Sequence, residues 1–307
     1  MLTRRRLLTI AGAATVTLGG VTLPLRRAWA ATTLTVGTAR IDTLSDGHLV
    51  LPGEFMLGDV SPEDKAALIA KYAIPAQVES PCNVTILRDG TNTVIFDVGA
   101  GPDFMPTAGK LSEALAALGV AAEDVTHVLF THGHPDHLWG VLDEFDEPVF
   151  ANARHLMGAK EHAYWLDPAT ADSIDEGRKT FAAGALRRLE TLGDRVETFE
   201  DGQEVLPGIG AMATYGHTPG HIAFQVTQGG ASALIVGDAI GNATLAFAEP
   251  ARHSGADQDG ETGAKTRSGL MALLAGNGMP MVGYHLPDGG IGRVEAAGGA
   301  FKFVSEV

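Results

Sequence analysis

Cysteine is almost missing from this chain. Cys82 stands alone among 307 residues, so no disulfide can close within the chain even in an oxidising compartment. Positive charge is also scarce: 22 Lys and Arg face 37 Asp and Glu, a net charge of −15 with histidines neutral. A body this acidic repels phosphate backbones and anionic lipid surfaces, which argues against a nucleic-acid partner. Sequence repeats are absent. The 39 glycines follow no collagen-like period and point instead to many tight turns. With 45% apolar and 19% charged residues, the composition is that of a globular protein with a sizeable core. No Ser- or Pro-rich linker divides the chain after its first thirty residues, so one α/β domain over 31–307 is the simplest organisation.

Those first thirty residues contain Arg4, Arg5, Arg6, Arg26 and Arg27 and no acid. Between the arginines runs "LLTIAGAATVTLGGVTLPL", and Ala28–Ala30 ("AWA") offers small residues for cleavage. That order is the one expected of an export signal, and "TRRRLL" resembles its twin-arginine class. The expectation is a cleaved segment 1–30, a periplasmic or secreted mature protein of net charge −20, and no stable membrane anchor.

Further along, "TLTVGTARIDTLSDGHLVL" alternates as a strand pair, and "SPEDKAALIAKY" carries the Ser cap and early Pro of a helix. "NVTILRDGTNTVIFDVGAG" predicts two strands around Asp89-Gly90, and "GKLSEALAALGVAAEDV" predicts a helix ending near Gly119. The middle, "AKEHAYWL" and "SIDEGRKTFAAGALRRLETL", has helical periodicity. Strand patterns return in "RVETFE", "GAMATYGH", "HIAFQV" and "SALIVGD". A final helix, "GAKTRSGLMALLAGNG", then leads to "MPMVGYH" and a terminal strand pair.

The chemistry concentrates in "HGHPDH". His132, His134, Asp136 and His137 follow the buried strand "THVLFT", and Pro135 predicts an irregular loop that can aim several side chains at one point. Imidazole and carboxylate are the ligands expected for zinc or a similar first-row ion, and manganese, iron or cobalt suit the same donors. Other candidates also follow apolar runs: Asp97 in "VIFDVGAG", His217 in "TYGHTPGH", Asp238 in "ALIVGDA" and His285 in "MVGYHLPDGG". Polar residues at strand ends, followed by flexible backbone, are where layered α/β folds carry function.

These motifs, in this order, resemble the metallo-β-lactamase-fold superfamily over Asn83 to Val294. The resemblance implies an αββα sandwich with the site between the edges of two sheets. It implies that His132, His134 and His217 bind one divalent ion, that Asp136, His137 and His285 bind a second, and that Asp238 bridges them. Asp97 matches a position that orients a ligand loop by hydrogen bonding. Two cations about 3.5–4 Å apart can share a water, lower its pKa towards ~7 and generate a hydroxide that attacks an acyl or phosphoryl centre. Asp136 or Asp238 could carry the released proton.

The remaining histidines invite plainer readings. His221 shapes its loop, His127 belongs to the core or supports the site, and His48, His155, His162 and His253 read as surface or loop residues. Cys82 reads as a small buried hydrophobe outside the ligand motifs. Trp139, where many relatives have Gly, either walls the substrate pocket or packs inside.

Among branches of the superfamily, the Cys-ligated β-lactamases would need cysteine at Asp238, and the all-histidine ones commonly lack that bridging Asp. The helical, nucleic-acid-processing and flavodoxin-like additions of other branches are not seen either. What remains resembles the lactonase and methyl parathion hydrolase-like group, through "VFANARHLMGAKEHAYWLDP" and "GYHLPDGGIGRVE". The implied activity is metal-dependent hydrolysis of a small-molecule lactone, aryl ester or phosphotriester. β-Lactam hydrolysis and an exported metal-binding protein without efficient catalysis are the alternatives. One departure stands out: acyl-homoserine lactonases commonly place a Tyr where this chain has Gly241, leaving Tyr284 or Tyr215 as possible substitutes.

Overall fold

The computed structural model of the protein describes residues 32–306, so the expected export signal lies outside the described residues. Two seven-stranded sheets face each other. The first runs in chain order: β1 (Thr32–Val36), β2 (Ala39–Pro52), β3 (Gln77–Arg88), β4 (Thr93–Phe96), β5 (His127–Phe130), β6 (Arg154–Gly158) and β7 (Val196–Phe199). The second holds β8 (Glu204–Leu206), β9 (Ile209–Ala213), β10 (Ile222–Gln228), β11 (Ala231–Gly237), β12 (Met281–Gly283), β13 (Ile291–Ala297) and β14 (Ala300–Ser305), with β14 and β8 at its edges. Pairing is parallel from β4 to β7 and between β11 and β12, and antiparallel elsewhere.

The helices are α1 (Pro62–Tyr72), α2 (Leu111–Leu118), α3 (Pro135–Leu138), α4 (Ala159–Leu166), α5 (Thr170–Ser173), α6 (Lys179–Leu192), α7 (Leu245–Ala248) and α8 (Gly260–Asn277). Local chemistry sets several of their ends. The Asp64 amide donates to Ser61 Oγ at 3.1 Å at the start of α1, and Gly119 ends α2 in the left-handed region. Phe96, Leu129 and Leu156 of the first sheet pack against Ile222, Phe224 and Ile235 of the second. On the outer face of the first sheet lie Leu115 of α2 and Leu189 of α6, and on that of the second Leu270 and Leu274 of α8. The result is the expected αββα sandwich.

Pro135 does not bar a helix, as its place in the motif had suggested. It occupies the first position of α3, where its missing N–H is no loss, and that turn carries Asp136 and His137.

One buried carboxylate fixes the loop behind the site. The register of β2 on β3 shifts between Ser45 and His48, and the irregularity turns Asp46 inward. Asp46 Oδ2 accepts from the Ala100 amide at 2.8 Å and the Gly109 amide at 3.1 Å, while Oδ1 accepts from the Leu111 amide at 2.8 Å. It therefore caps α2 and ties down the turn after β4. Burial pushes its carboxyl up to about 6 against those bonds, which still leaves it ionised at neutral pH. Gly99 is required beneath it. Its φ is 72°, and a Cβ there would lie 2.6 Å from the Asp46 carboxyl carbon.

His155 departs from the surface reading. It lies on β6, a parallel strand paired on both sides and covered on both faces, and is fully buried with its ring stacked on Phe130 at 6.3 Å between centroids. Burial, helped by Arg195, pushes its pKa down to about 4 against a smaller opposing contact from the Ala153 backbone. A base depressed from about 6.5 contributes stability above the unfolded value and loses it as pH falls through the window from 6.5 to 4. Between pH 7 and pH 5 the expected loss is about 2 kcal/mol, a loss that His155→Leu removes. Urea midpoints of both proteins at the two pH values check it, and equal pH dependence in wild type and variant would refute it.

Candidate metal centre

Five chain segments deliver polar side chains to one edge of the sandwich, each just after a strand. Asp97 follows β4, the 131–137 segment follows β5, His217 lies between β9 and β10, Asp238 follows β11 and His285 follows β12. Because β4, β5 and β6 are parallel, as are β11 and β12, these strands end on the same side.

The structure brings all seven expected ligands together, and all are buried. His134 Nδ1 lies 3.0 Å from His132 Nε2 and 2.8 Å from His217 Nε2, so three imidazoles converge. Beside them, His137 Nε2 approaches Asp238 Oδ1 at 3.2 Å and Asp136 Oδ2 at 3.4 Å. His285 Nε2 approaches Asp238 Oδ2 at 3.1 Å and Asp136 Oδ2 at 3.2 Å. Asp238 Oδ2 also lies 3.4 Å from His217 Nε2, so this carboxylate faces both groups.

A divalent-ion pair fits this donor set. Asp136 Oδ2, His137 Nε2 and Asp238 Oδ1 are buried without a hydrogen-bond partner, although their neighbours lie within 3.4 Å. Atoms that crowd a common point without bonding each other are explained by a shared ion rather than by packing. Ligands about 2 Å from a first-row ion must themselves stand roughly 3 Å apart. The ionisation pattern agrees. Burial, with the neighbouring imidazoles, holds His132 and His134 well below the usual histidine range, so their lone pairs are free. Burial alone would also depress His137 and His285, but Asp238 and Asp136 hold both well above that range. Protons there balance the carboxylates, a task a divalent cation would take over.

Surrounding groups fix the rings. Asp97, in the left-handed region at φ 62°, accepts from the Thr131 amide and hydroxyl, each at 2.7 Å, and contacts His137 Nδ1 at 2.8 Å. His285 Nδ1 donates to the Pro81 carbonyl at 2.7 Å. His217 Nδ1 faces Asp257 Oδ1 at 3.6 Å, and Asp257 is held from behind by Arg267 at 3.0 Å. His221 stays outside the ligand set: its Nε2 accepts the Asp238 amide at 3.0 Å while Nδ1 meets Thr214 Oγ1 at 2.7 Å.

Sequence reasoning missed Glu161. It is fully buried on α4 and accepts from the Gly133 amide at 2.9 Å, Trp165 Nε1 at 2.6 Å, Thr218 Oγ1 at 2.7 Å and the Gly220 amide at 2.9 Å. One carboxylate thus joins the loop of His132 and His134 to the loop of His217. Asp257 and Gln258 were missed too; Gln258 Nε2 lies 3.3 Å from His134 Nε2 and its Oε1 accepts from the Tyr164 hydroxyl at 2.7 Å. Nothing in their local sequence patterns separates these residues from surface polar ones.

The site opens on a cavity of about 740 Å³. His134, Asp136, His217, Asp238 and His285 line one part of it, and most of the remaining wall is apolar, including Leu49, Phe55, Met56, Ile74, Phe104 and Phe181. Arg178 also lines it, with two donors engaged by the Gly255 and Ala256 carbonyls. Trp139 and Tyr284, named as possible pocket residues, are not among those that line this cavity, and Trp139 takes the packed alternative of its two readings. Trp139 packs behind Phe104 and under the Arg188 guanidinium, where α6 passes so close that a Cβ on Gly184 would lie 2.1 Å from its ring. Tyr284 stacks on His137 and donates its hydroxyl to the Asp136 carbonyl at 2.5 Å. Tyr215 lies outside the lining as well, under Lys160.

Comparison with known proteins agrees with this geometry. The family model described as Metallo-beta-lactamase superfamily matches residues 78–275. The probable metallo-hydrolase YflN of Bacillus subtilis is 28% identical over 244 residues, covering 69% of this chain and 85% of YflN. Protein YobT of the same organism is 29% identical over 160 residues, or 52% of this chain and 62% of YobT. The chain thus spans about three fifths of the length of the first curated relatives it matches. Among solved structures, the hydrolase AbOPH of the β-lactamase superfamily superposes with a TM-score of 0.82 at 26% identity, over 90% of this chain and 97% of its own. AidC, a dizinc quorum-quenching lactonase solved with a homoserine product, has the same TM-score and coverage at 21% identity, a likeness of fold.

Proposed function

We propose that this chain, which belongs to the metallo-beta-lactamase superfamily, is a dinuclear metal-dependent hydrolase of ester-type bonds in lactones, aryl esters or phosphotriesters. The observation that carries the reading is the meeting of seven imidazole and carboxylate donors with a mostly apolar cavity of ligand size. Its likeness to YflN and AbOPH supports the hydrolase class.

His132, His134 and His217 would hold one ion, His137, Asp136 and His285 the other, with Asp238 shared. The ions, zinc first among the candidates, would lower the pKa of a water and draw charge from the carbonyl or phosphoryl oxygen. Asp97 keeps His137 turned towards the site, and Asp257 faces the far side of the His217 ring. Asp136 or Asp238 would accept the proton lost by the attacking water through a carboxylate oxygen not engaged by an ion, since both residues line the cavity. The apolar wall excludes water and receives the hydrocarbon part of the substrate.

The reading predicts chelator-sensitive cleavage within a panel of acylated lactones, aryl esters, a phosphotriester and a β-lactam. Within the productive class, KM should fall as the apolar portion lengthens. A β-lactam as the sole substrate, or cleavage indifferent to chelation, would contradict it.

A further inference from the structure

We infer that Cys82 is a thiolate ligand of the ion held by Asp136 and His285, which gives the second site a sulfur donor. The inference rests on the dinuclear reading above. Three observations lead to it. Cys82 is fully buried on β3, and its sulfur lies with ligand atoms of Asp136 and His285 in one group, all within 4.8 Å of one another. Asp136 Oδ2 is buried and has no hydrogen-bond partner. His285 has its Nδ1 committed to the carbonyl of Pro81, the residue before Cys82, which turns Nε2 towards Asp136 and Asp238. The same backbone therefore fixes the imidazole and carries the thiol.

A thiol that coordinates a divalent cation is deprotonated outright, so the bound ion itself would supply the thiolate. Sulfur alters metal preference as well: a site of carboxylates and imidazoles accepts hard and borderline ions alike, whereas a thiolate favours zinc and cobalt over manganese or magnesium. The three-histidine group contains no sulfur, so the two sites should differ in selectivity.

Cobalt titration of the metal-stripped protein tests this directly. Visible ligand-field absorption counts cobalt bound at either site, and an intense near-ultraviolet band reports thiolate bonded to cobalt. The expected result is two equivalents bound, with the near-ultraviolet band growing with only one of them. That band is lost in Cys82→Ser and in Cys82→Val, the valine keeping the packing should serine fail to fold. Competition with a chelator should show the affinity of that equivalent falling at least about tenfold in Cys82→Val while the other stays within about twofold. Two equivalents bound without the near-ultraviolet band would overturn the thiolate assignment and leave the dinuclear reading standing. Failure to bind a second equivalent would overturn both.

Discussion

Replacing His134 with alanine lowers kcat/KM for the cleaved ester by about a thousandfold, the largest effect expected of any single change. Its Nδ1 stands 3.0 Å from His132 Nε2 and 2.8 Å from His217 Nε2, so its loss removes one of the three imidazoles proposed to hold the first ion. Charge stabilisation by a bound ion is worth several kcal/mol in such reactions, and about 4 kcal/mol corresponds to a thousandfold. His162→Ala is the matched control. It removes an imidazole from α4, half-exposed and outside the cavity lining, and should change the rate by less than about twofold. Metal content measured beside kcat/KM separates loss of the ion from loss of the fold. Full activity in His134→Ala at reduced metal content would sink the assignment of that site.

The second large effect is that of Glu161→Gln, and it falls on stability and metal affinity together. Four donors point at the two oxygens of this buried carboxylate. A glutamine keeps one acceptor oxygen and turns an N–H₂ group towards the other pair of donors. The Thr218 hydroxyl can rotate to accept, but a backbone amide cannot. Each buried group left unpaired costs about 1–3 kcal/mol, so the metal-free protein should lose about 2–4 kcal/mol. Both loops that carry the three-histidine site would loosen, because Glu161 contacts Gly133 in one and Thr218 and Gly220 in the other. Groups that orient metal ligands are worth about 10–100-fold in affinity, and that is the expected weakening at His132, His134 and His217. Chelator competition and urea unfolding measure the two effects. An unchanged ion affinity with lowered stability would reduce Glu161 to a packing role.

The ligand motifs were legible because they combine donor side chains with glycine or proline directly after apolar runs. Those runs are parallel or near-central strands, so their ends converge on one edge of the sandwich. Glu161 and Asp257 were not legible, for different reasons. Glu161 sits in an amphipathic helix among other charges, and only the packing of α4 beneath both ligand loops makes it a buried acceptor. Asp257 lies in a loop more than a hundred residues from "HGHPDH", and folding alone sets it against His217. Cys82 belongs to a strand whose pattern fits a core residue, as the structure also has it, yet that strand runs beneath Asp136 and His285. Trp139 shows the opposite limit. A large apolar side chain beside a metal loop fits both a pocket wall and a core, and the nearness of α6 at Gly184 decides for the core. His155 misled because a polar residue next to Arg154 at the start of a short strand reads as a solvent-facing position, whereas β6 is covered on both faces.

The most direct measurement is the metal content of the purified protein, taken with its hydrolytic rate before chelation, after chelation and after metal is restored. The account predicts two divalent ions per chain, a rate that disappears with them, and recovery when both return. Hydrolysis that persists in metal-free protein, or full activity with a single ion per chain, would contradict it.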